Sequence, residues 1–358
     1  MLIHIVPKCI GGIILPYTVA SSEKTRKSGS EGETKALLYL MNLRSDSNEI
    51  YYFVVDFFND LTGMDQFAEK LWDIQSKAKK NNSPNEIGKE LVTLYKNYIS
   101  DFDFSYYILF FGGMSDIHLE DSSLNTFRID NIKESAKSKI VNSLINEAKK
   151  KEYIDNSKIT KDKIDAFLKE VLFVIDNRES YEYVREIIKN HPSIIPNNQV
   201  LLAIFNEIRN KQSEKKNTNV EGVTIQTNEQ ALNYCRHLTN NEIKLLTLQR
   251  IINRNPVEKS VPIAFLSIYN SWTPENQKEM FDECKQSLCR ALFNKNTSEE
   301  FWTLFEKIYV LIQDNPKWDV NKIYQSIDSE LKRAVPDLDL ISLKFFIAIV
   351  KDGIQDDN

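Results

Sequence analysis

Several residue types that would settle a function at once are scarce in this sequence. Four cysteines (Cys9, Cys235, Cys284, Cys289) stand among 358 residues, and none forms a CxxC pair. Cys284 and Cys289 lie five apart on an expected helix with no histidine beside them, which excludes a zinc site. Free buried thiols in a reducing cytoplasm are expected. The four histidines (His4, His118, His191, His237) share no ligand spacing and none sits in a nucleophile motif, so no hydrolase triad is expected. Glycine is also sparse, and GxxxxGK[ST] does not occur. Gly11 and Gly12 in CIGGIILP are not a phosphate-binding loop, and Lys24-Thr25 has no glycine loop ahead of it. Any ATP-driven motor is expected to be another protein.

Long apolar runs are missing too. LISLKFFIAIV, near the end, is too short to span a bilayer and carries Lys344. The opening MLIHIVPKCIGGIILP is broken by His4, Pro7 and Lys8 and has no basic n-region, so it is not read as a signal peptide. No membrane role is expected. An excess of positive charge is absent as well: 46 Lys and Arg against 51 Asp and Glu give a net charge of −5. That excludes a globally basic nucleic-acid coat. DNA contact would need a local patch, several subunits, or a partner that brings the DNA.

Against these absences, 42% hydrophobic and 27% charged residues describe a chain that folds, with length for two or three domains. Strand signals concentrate in the first third: YYFVVDFF (51–58), KLWDIQSK (70–77) and YYILFFGG (106–113). In the second of these, Leu71, Asp73, Gln75 and Lys77 share one parity, and Trp72, Ile74 and Ser76 the other. A helix is expected over Ser30 to Arg44, opened by Ser30 and Glu33 at capping-box spacing. Another starts with Ser83 as N-cap, Pro84 and Glu86, and continues through Ile87, Leu91, Leu94, Tyr95, Tyr98 and Ile99. The order is helix, strand, strand, helix, strand.

After about residue 130 the pattern becomes helical, with helices expected over 132–148, 164–172 and 181–188. Later starts are signalled by Thr239 with Glu242, Thr273 before Pro274, and Thr297 with Glu300, and a last helix by 337–350. The expected division is a core over 1–130, a helical extension over 131–208, a polar linker or long loop over 209–230, and an all-α domain over 231–358 for oligomerisation and partner docking.

The stretch VVDFFNDLTGMDQFAEKLWDIQSKAKK (54–80) carries the chemistry. Metal-assisted cleavage of a phosphodiester needs oxygen ligands for Mg²⁺ or Mn²⁺, an activated water, and a group that offsets the developing charge. Gln75 and Lys77 project to one face of their strand. Asp60, at the end of the preceding strand, would return beside them through a hairpin over LTGMDQ. Asp60 and the Gln75 side-chain oxygen would hold the metal. Lys77 would orient or deprotonate the water, or stabilise the phosphorus. The plainer description of the same letters is a half-exposed hairpin whose polar residues face water.

This arrangement resembles the PD-(D/E)XK restriction-endonuclease-like core, where an Asp precedes a strand carrying (D/E)-x-K. Here the tripeptide is Gln75-Ser76-Lys77, with Gln where most members carry an acid. A D…QxK version looks like the endonuclease domain of bacterial antiphage effectors, the CD-NTase-associated (CBASS) nucleases. Relatives of that domain stand beside an SMC-like ATPase in Lamassu-type systems, or beside HerA-type ATPases. The resemblance covers residues 1 to about 130 and reaches toward 205.

The resemblance implies an α/β restriction-endonuclease-like core, a mixed sheet flanked by helices, followed by a mostly α-helical C-terminal region. It further implies a Mg²⁺-dependent (or Mn²⁺-dependent) endonuclease acting on double-stranded DNA with little sequence specificity. Such an effector is cytoplasmic, self-associating, and activated by an SMC-like or HerA-like ATPase subunit. No strand-rich cyclic-nucleotide sensor is seen, which favours the ATPase-partnered relatives. In this fold an acid on the first helix often faces the metal, which makes Glu33 a third ligand candidate. Asp56 and Asp73 are acids of second rank. Lys24, Arg26 and Lys27 in SSEKTRKSGS, with Lys79, are candidate DNA contacts. The rival expectations are a catalytically degenerate scaffold and an RNA-cleaving effector.

Overall fold

A run of alternating large side chains around Trp72 makes the central strand of a mixed sheet. The computed structural model describes residues 16–19, 27–176 and 178–356. Its strands are β1 (Tyr17–Thr18), β2 (Ile50–Val55), β3 (Leu61–Asp65), β4 (Leu71–Lys77), β5 (Tyr106–Phe111), β6 (Thr126–Phe127), β7 (Val171–Ile175), β8 (Thr224–Ile225) and β9 (His237–Thr239). Seven of them form one sheet in the order β6-β7-β5-β4-β3-β2-β9, while β1 pairs with β8 apart from it. β4, β5 and β7 run parallel; the other neighbours are antiparallel. A parallel neighbour cannot be reached by a tight turn. The crossover from β4 to β5 is made by α2 (Pro84–Glu90) and α3 (Val92–Tyr98), after α1 (Lys27–Asn42) has opened the fold.

Helices cover both faces of β4. On one face α1 lies against β2, β3 and β4 and buries Leu37, Leu38 and Leu40 completely. Each such leucine contributes roughly 1.5–3 kcal/mol. The approach is close: a Cβ on Gly63 would meet Leu40 Cδ1 at 3.0 Å and Trp72 Cβ at 3.4 Å. α3 lies against β4 and β5, and its bonds go to Asp73 and Gln75, the parity opposite to Trp72.

The chain forms two compact units, residues 1–183 with 205–240, and residues 184–204 with 241–358. The first unit holds the sheet with α1 to α3, α4 (Glu134–Ala148), α5 (Lys161–Glu170) and most of α6 (Ser180–Arg185). The chain passes between units after 183, within α7 (Asn198–Glu214), and after 240. The second unit is helical: α8 (Asn240–Ile251), α9 (Leu266–Tyr269), α10 (Pro274–Phe293), α11 (Ser298–Asp314), α12 (Val320–Ser326), α13 (Ser329–Ala334) and α14 (Leu340–Asp356). Six consecutive residues of α14, Phe345 to Val350, are buried. A helix apolar all round must be enclosed, and α10, α11 and α12 enclose this one. Phe301, Trp302 and Phe305 of α11 are buried in the same core rather than offered as a base-stacking platform.

The expected mixed sheet with helices, followed by a helical C-terminal region, is observed. Several details differ. LTGMDQ is not a hairpin loop but the site of β3, whose interior Gly63 weakens the strand signal. The helix placed over 164–172 ends at Glu170, and the β-branched VLFVI becomes β7. The polar stretch 209–230 closes α7, adds β8, and buries Val220 and Ile225 in the first unit's core. The last helix starts at Leu340 rather than 337, where Asp339 Oδ1 accepts the Ser342 N–H at 2.7 Å. Among the described residues no helix is long and apolar enough to cross a membrane. Cys235, Cys284 and Cys289 are free thiols. Cys9 lies outside the described residues.

Candidate functional site

Asp60 reaches the central strand by way of β3. It stands one residue before Leu61, and Leu61 pairs with Ile74, so antiparallel register sets Asp60 across from Gln75. The loop that carries it is tightly held. Asp56 adopts φ +50° and donates its N–H to the Asp60 carbonyl at 3.1 Å. The Phe58 carbonyl accepts from Lys96 Nζ (3.1 Å), Asn97 Nδ2 (3.2 Å) and the Tyr17 hydroxyl (3.2 Å). So fixed, Asp60 Oδ2 accepts at 3.0 Å from Gln75 Nε2, from the Ser76 N–H and from Ser76 Oγ.

The other parity of β4 is joined to the helices by three polar rungs. Asn97 Nδ2 donates to Asp73 Oδ2 at 2.7 Å, and Thr93 Oγ1 donates to Gln75 Oε1 at 2.6 Å. Lys77 Nζ pairs with Glu90 Oε1 at 2.6 Å. Positions 73, 75 and 77 share a strand face, and 90, 93 and 97 follow helical spacing, so the two repeats match along their lengths. Glu90 ends α2, whose start is the expected capping box: Glu86 N–H donates to Ser83 Oγ while Ser83 N–H donates to the Glu86 carboxylate.

A cleft of about 320 Å³ opens at this place, lined by Asp56, Asp60, Gln75, Glu90, Thr93, Lys89, Lys96, Glu147, Lys151 and Tyr153 among others. Its acids are not equivalent. Asp56 pairs with fully buried Arg236 at 2.8 Å, and Glu147 with Lys150 and Lys151. Burial raises the Asp56 carboxyl above its ordinary value; Lys216 and Arg236 oppose the rise and Glu33 adds to it. Asp73 lies beneath the site with no exposed surface. Burial raises its carboxyl too, against the Asn97 bond and the Lys96 charge. Burial lowers Lys96.

The sequence candidates fall into three groups. Asp60 and Gln75 are brought together, and Lys77 continues their strand but turns to Glu90. Glu33 does not line the cleft but lies close enough to Asp56 to raise its carboxyl: α1 starts at Lys27, so Ser30 lies inside the helix rather than at its N-cap, and Glu33 pairs with Lys216 at 2.7 Å. Of the candidate DNA contacts, Lys79 pairs with Glu86, Lys24 and Arg26 lie outside the described residues, and Lys27 is described only as the first residue of α1. Sequence reading passed over Thr93, Glu90, Ser76, Lys216 and Arg236. None of them left a local signal: the 84–98 stretch also carries Asn85, Glu86, Lys89, Lys96 and Asn97, so Thr93 and Glu90 do not stand out.

Among the described residues no three carboxylate, imidazole or thiolate side chains gather closely enough to cage a metal ion. The donors beside β4 are one carboxylate and one amide. Such a hard-oxygen set fits Mg²⁺, which keeps several waters and takes one or two carboxylates together with substrate phosphates. No protein-family model, curated protein or solved structure matches the chain.

Proposed function

We propose that the first unit is a metal-dependent DNA endonuclease built on a PD-(D/E)XK-type core, the effector of a bacterial antiphage system. The observation that carries this reading is the bonding of Asp60 to Gln75 and Ser76, beside Lys77, at the edge of an open cleft. An Asp set before a strand and across from the Q-x-K strand is the placement that the resemblance to the PD-(D/E)XK core implies.

Bound Mg²⁺ would supply Lewis acidity and an activated water. Asp60 would hold it, and Gln75 would join by turning its amide half a turn. As it stands, Gln75 directs its nitrogen to Asp60 and its oxygen to Thr93. The Thr93 hydroxyl can donate or accept, so it could take the turned amide nitrogen, while the amide oxygen would face Asp60 Oδ2 and would need the cation between them. The Lys77 ammonium would offset charge developing on the phosphorus oxygens. Because Gln75 carries no charge, resting metal affinity is low and activity waits on substrate phosphates or assembly. Self-association and an SMC-like or HerA-like ATPase partner belong to the same proposal and rest on the sequence resemblance.

The test is incubation of the protein with plasmid and with total RNA at millimolar Mn²⁺, beside Asp60→Asn. Plasmid cleavage lost in the variant supports the reading. RNA cleavage alone moves it to an RNA-cleaving effector, and cleavage of neither by the wild type removes it.

A second reading, a nuclease fold kept only as a scaffold, is favoured by one observation. Asp73, Gln75 and Lys77 each already have a helix partner. Phage resistance unchanged by both Asp60→Asn and Lys77→Ala would support it.

A further inference from the structure

We propose that Glu90 is the second carboxylate of the metal site, supplying the negative charge that Gln75 lacks. The inference rests on the nuclease reading and adds to it a ligand that comes from a helix instead of the strand.

The Q-x-K strand offers Asp60 only a neutral neighbour, while a divalent cation is best matched by two anionic oxygens. The cleft holds four acids, and the structure separates them. Asp56 is committed to Arg236, whose side chain is 1% exposed, and Glu147 is shared between two lysines. Glu33 does not line the cleft and is held by Lys216. Glu90 differs from all three. It lines the same cleft as Asp60 and Gln75, one helical turn before Thr93, which already touches Gln75. Its one ion-pair partner among the described residues is Lys77 of the motif itself, and that pair engages Oε1. Oε2 bonds no described residue, and the side chain is 24% exposed, so this oxygen can turn to an ion entering from the cleft. Glu90 also closes α2 at the break before Leu91, a position set by the Ser83–Glu86 cap at the other end.

The test is Mn²⁺ binding, read as the loss of the free-ion electron paramagnetic resonance signal, with the metal-free melting temperature as a fold control. Wild type, Asp60→Asn, Glu90→Gln, Glu90→Asp, Lys77→Ala and Glu147→Gln are compared. Glu90→Gln is expected to weaken binding by about tenfold or more, as is Asp60→Asn, with Glu90→Asp between it and wild type. Lys77→Ala removes the ion pair but no ligand, and is expected to bind as tightly as wild type or more tightly. Glu147→Gln is expected to bind like wild type. Wild-type affinity in folded Glu90→Gln, with Asp60→Asn weakened, would overturn the role of Glu90 and leave the nuclease reading standing. Absence of Mn²⁺ binding by the wild type at millimolar ion would overturn both. If Glu90→Gln fails to fold, folded Glu90→Asp decides by the same criterion.

Discussion

Gln75 Nε2 donates to Asp60 Oδ2 over 3.0 Å, so the metal-free site is held by an attraction where a second carboxylate would repel. Two ionised carboxylates at about 3 Å cannot both keep their charge. Gln75→Glu is therefore expected to lower metal-free stability at pH 8, by about 1–3 kcal/mol for the lost bond to a buried group. At pH 5, where one of the two acids can hold a proton, the loss should be smaller. The same variant should bind Mn²⁺ more tightly than wild type. Melting curves at both pH values, with and without Mn²⁺, check this. Equal melting temperatures at pH 8 without metal would contradict it.

Lys77 and Leu40 separate chemistry from stability. The Lys77–Glu90 pair is part-exposed, 42% and 24%, and such pairs contribute about 0–1 kcal/mol. Lys77→Ala should leave urea unfolding nearly unchanged. Leu40→Ala opens a cavity beneath α1, where Leu40 is fully buried, and should cost roughly 2–5 kcal/mol. A large stability loss in Lys77→Ala would show that the pair is structural.

Asp73 gives a pH signature. Its folded value lies above the unfolded value of about 4, raised first by burial. Between the two values the folded protein holds more protons than the unfolded chain. The contribution of Asp73 to stability is therefore fully present below pH about 4 and is lost as pH rises toward its folded value. Lys96, lowered by burial, acts with the opposite slope on the alkaline side. In Asp73→Asn the acid-to-neutral fall should flatten, so the variant gains on wild type as pH rises from about 4 to 7. Parallel melting profiles over that range would contradict this account.

Much of the fold was legible where local chemistry and tertiary packing agree. Ser83, Pro84 and Glu86 announce a helix start by side-chain bonds that form within three residues. The runs at 51–58 and 106–113 are aromatic and β-branched enough to suit a buried sheet, and 70–77 is legible by its alternation. β3 was hidden because Gly63 is demanded by Leu40, a contact that no local pattern encodes. That hidden strand changed how Asp60 reaches Gln75: LTGMDQ is not the turn, and the register of the β3–β4 hairpin sets the two residues across from each other. Glu33 shows the opposite failure: its place on the first helix suggests a cap or a metal ligand, while its ion-pair partner Lys216 is far along the chain. The helix partners Thr93 and Glu90 were invisible for the same reason, since strand and helix meet only after the crossover is made.

The proposed action of Asp60, Gln75 and Lys77 around one catalytic ion is tested most directly by nicking of supercoiled plasmid at millimolar Mn²⁺. The assay compares wild type with Lys77→Ala at equal folded fraction. The account predicts nicking by wild type and a loss of about a hundredfold or more in the variant, with the melting temperature unmoved. Equal nicking by the two proteins would contradict it.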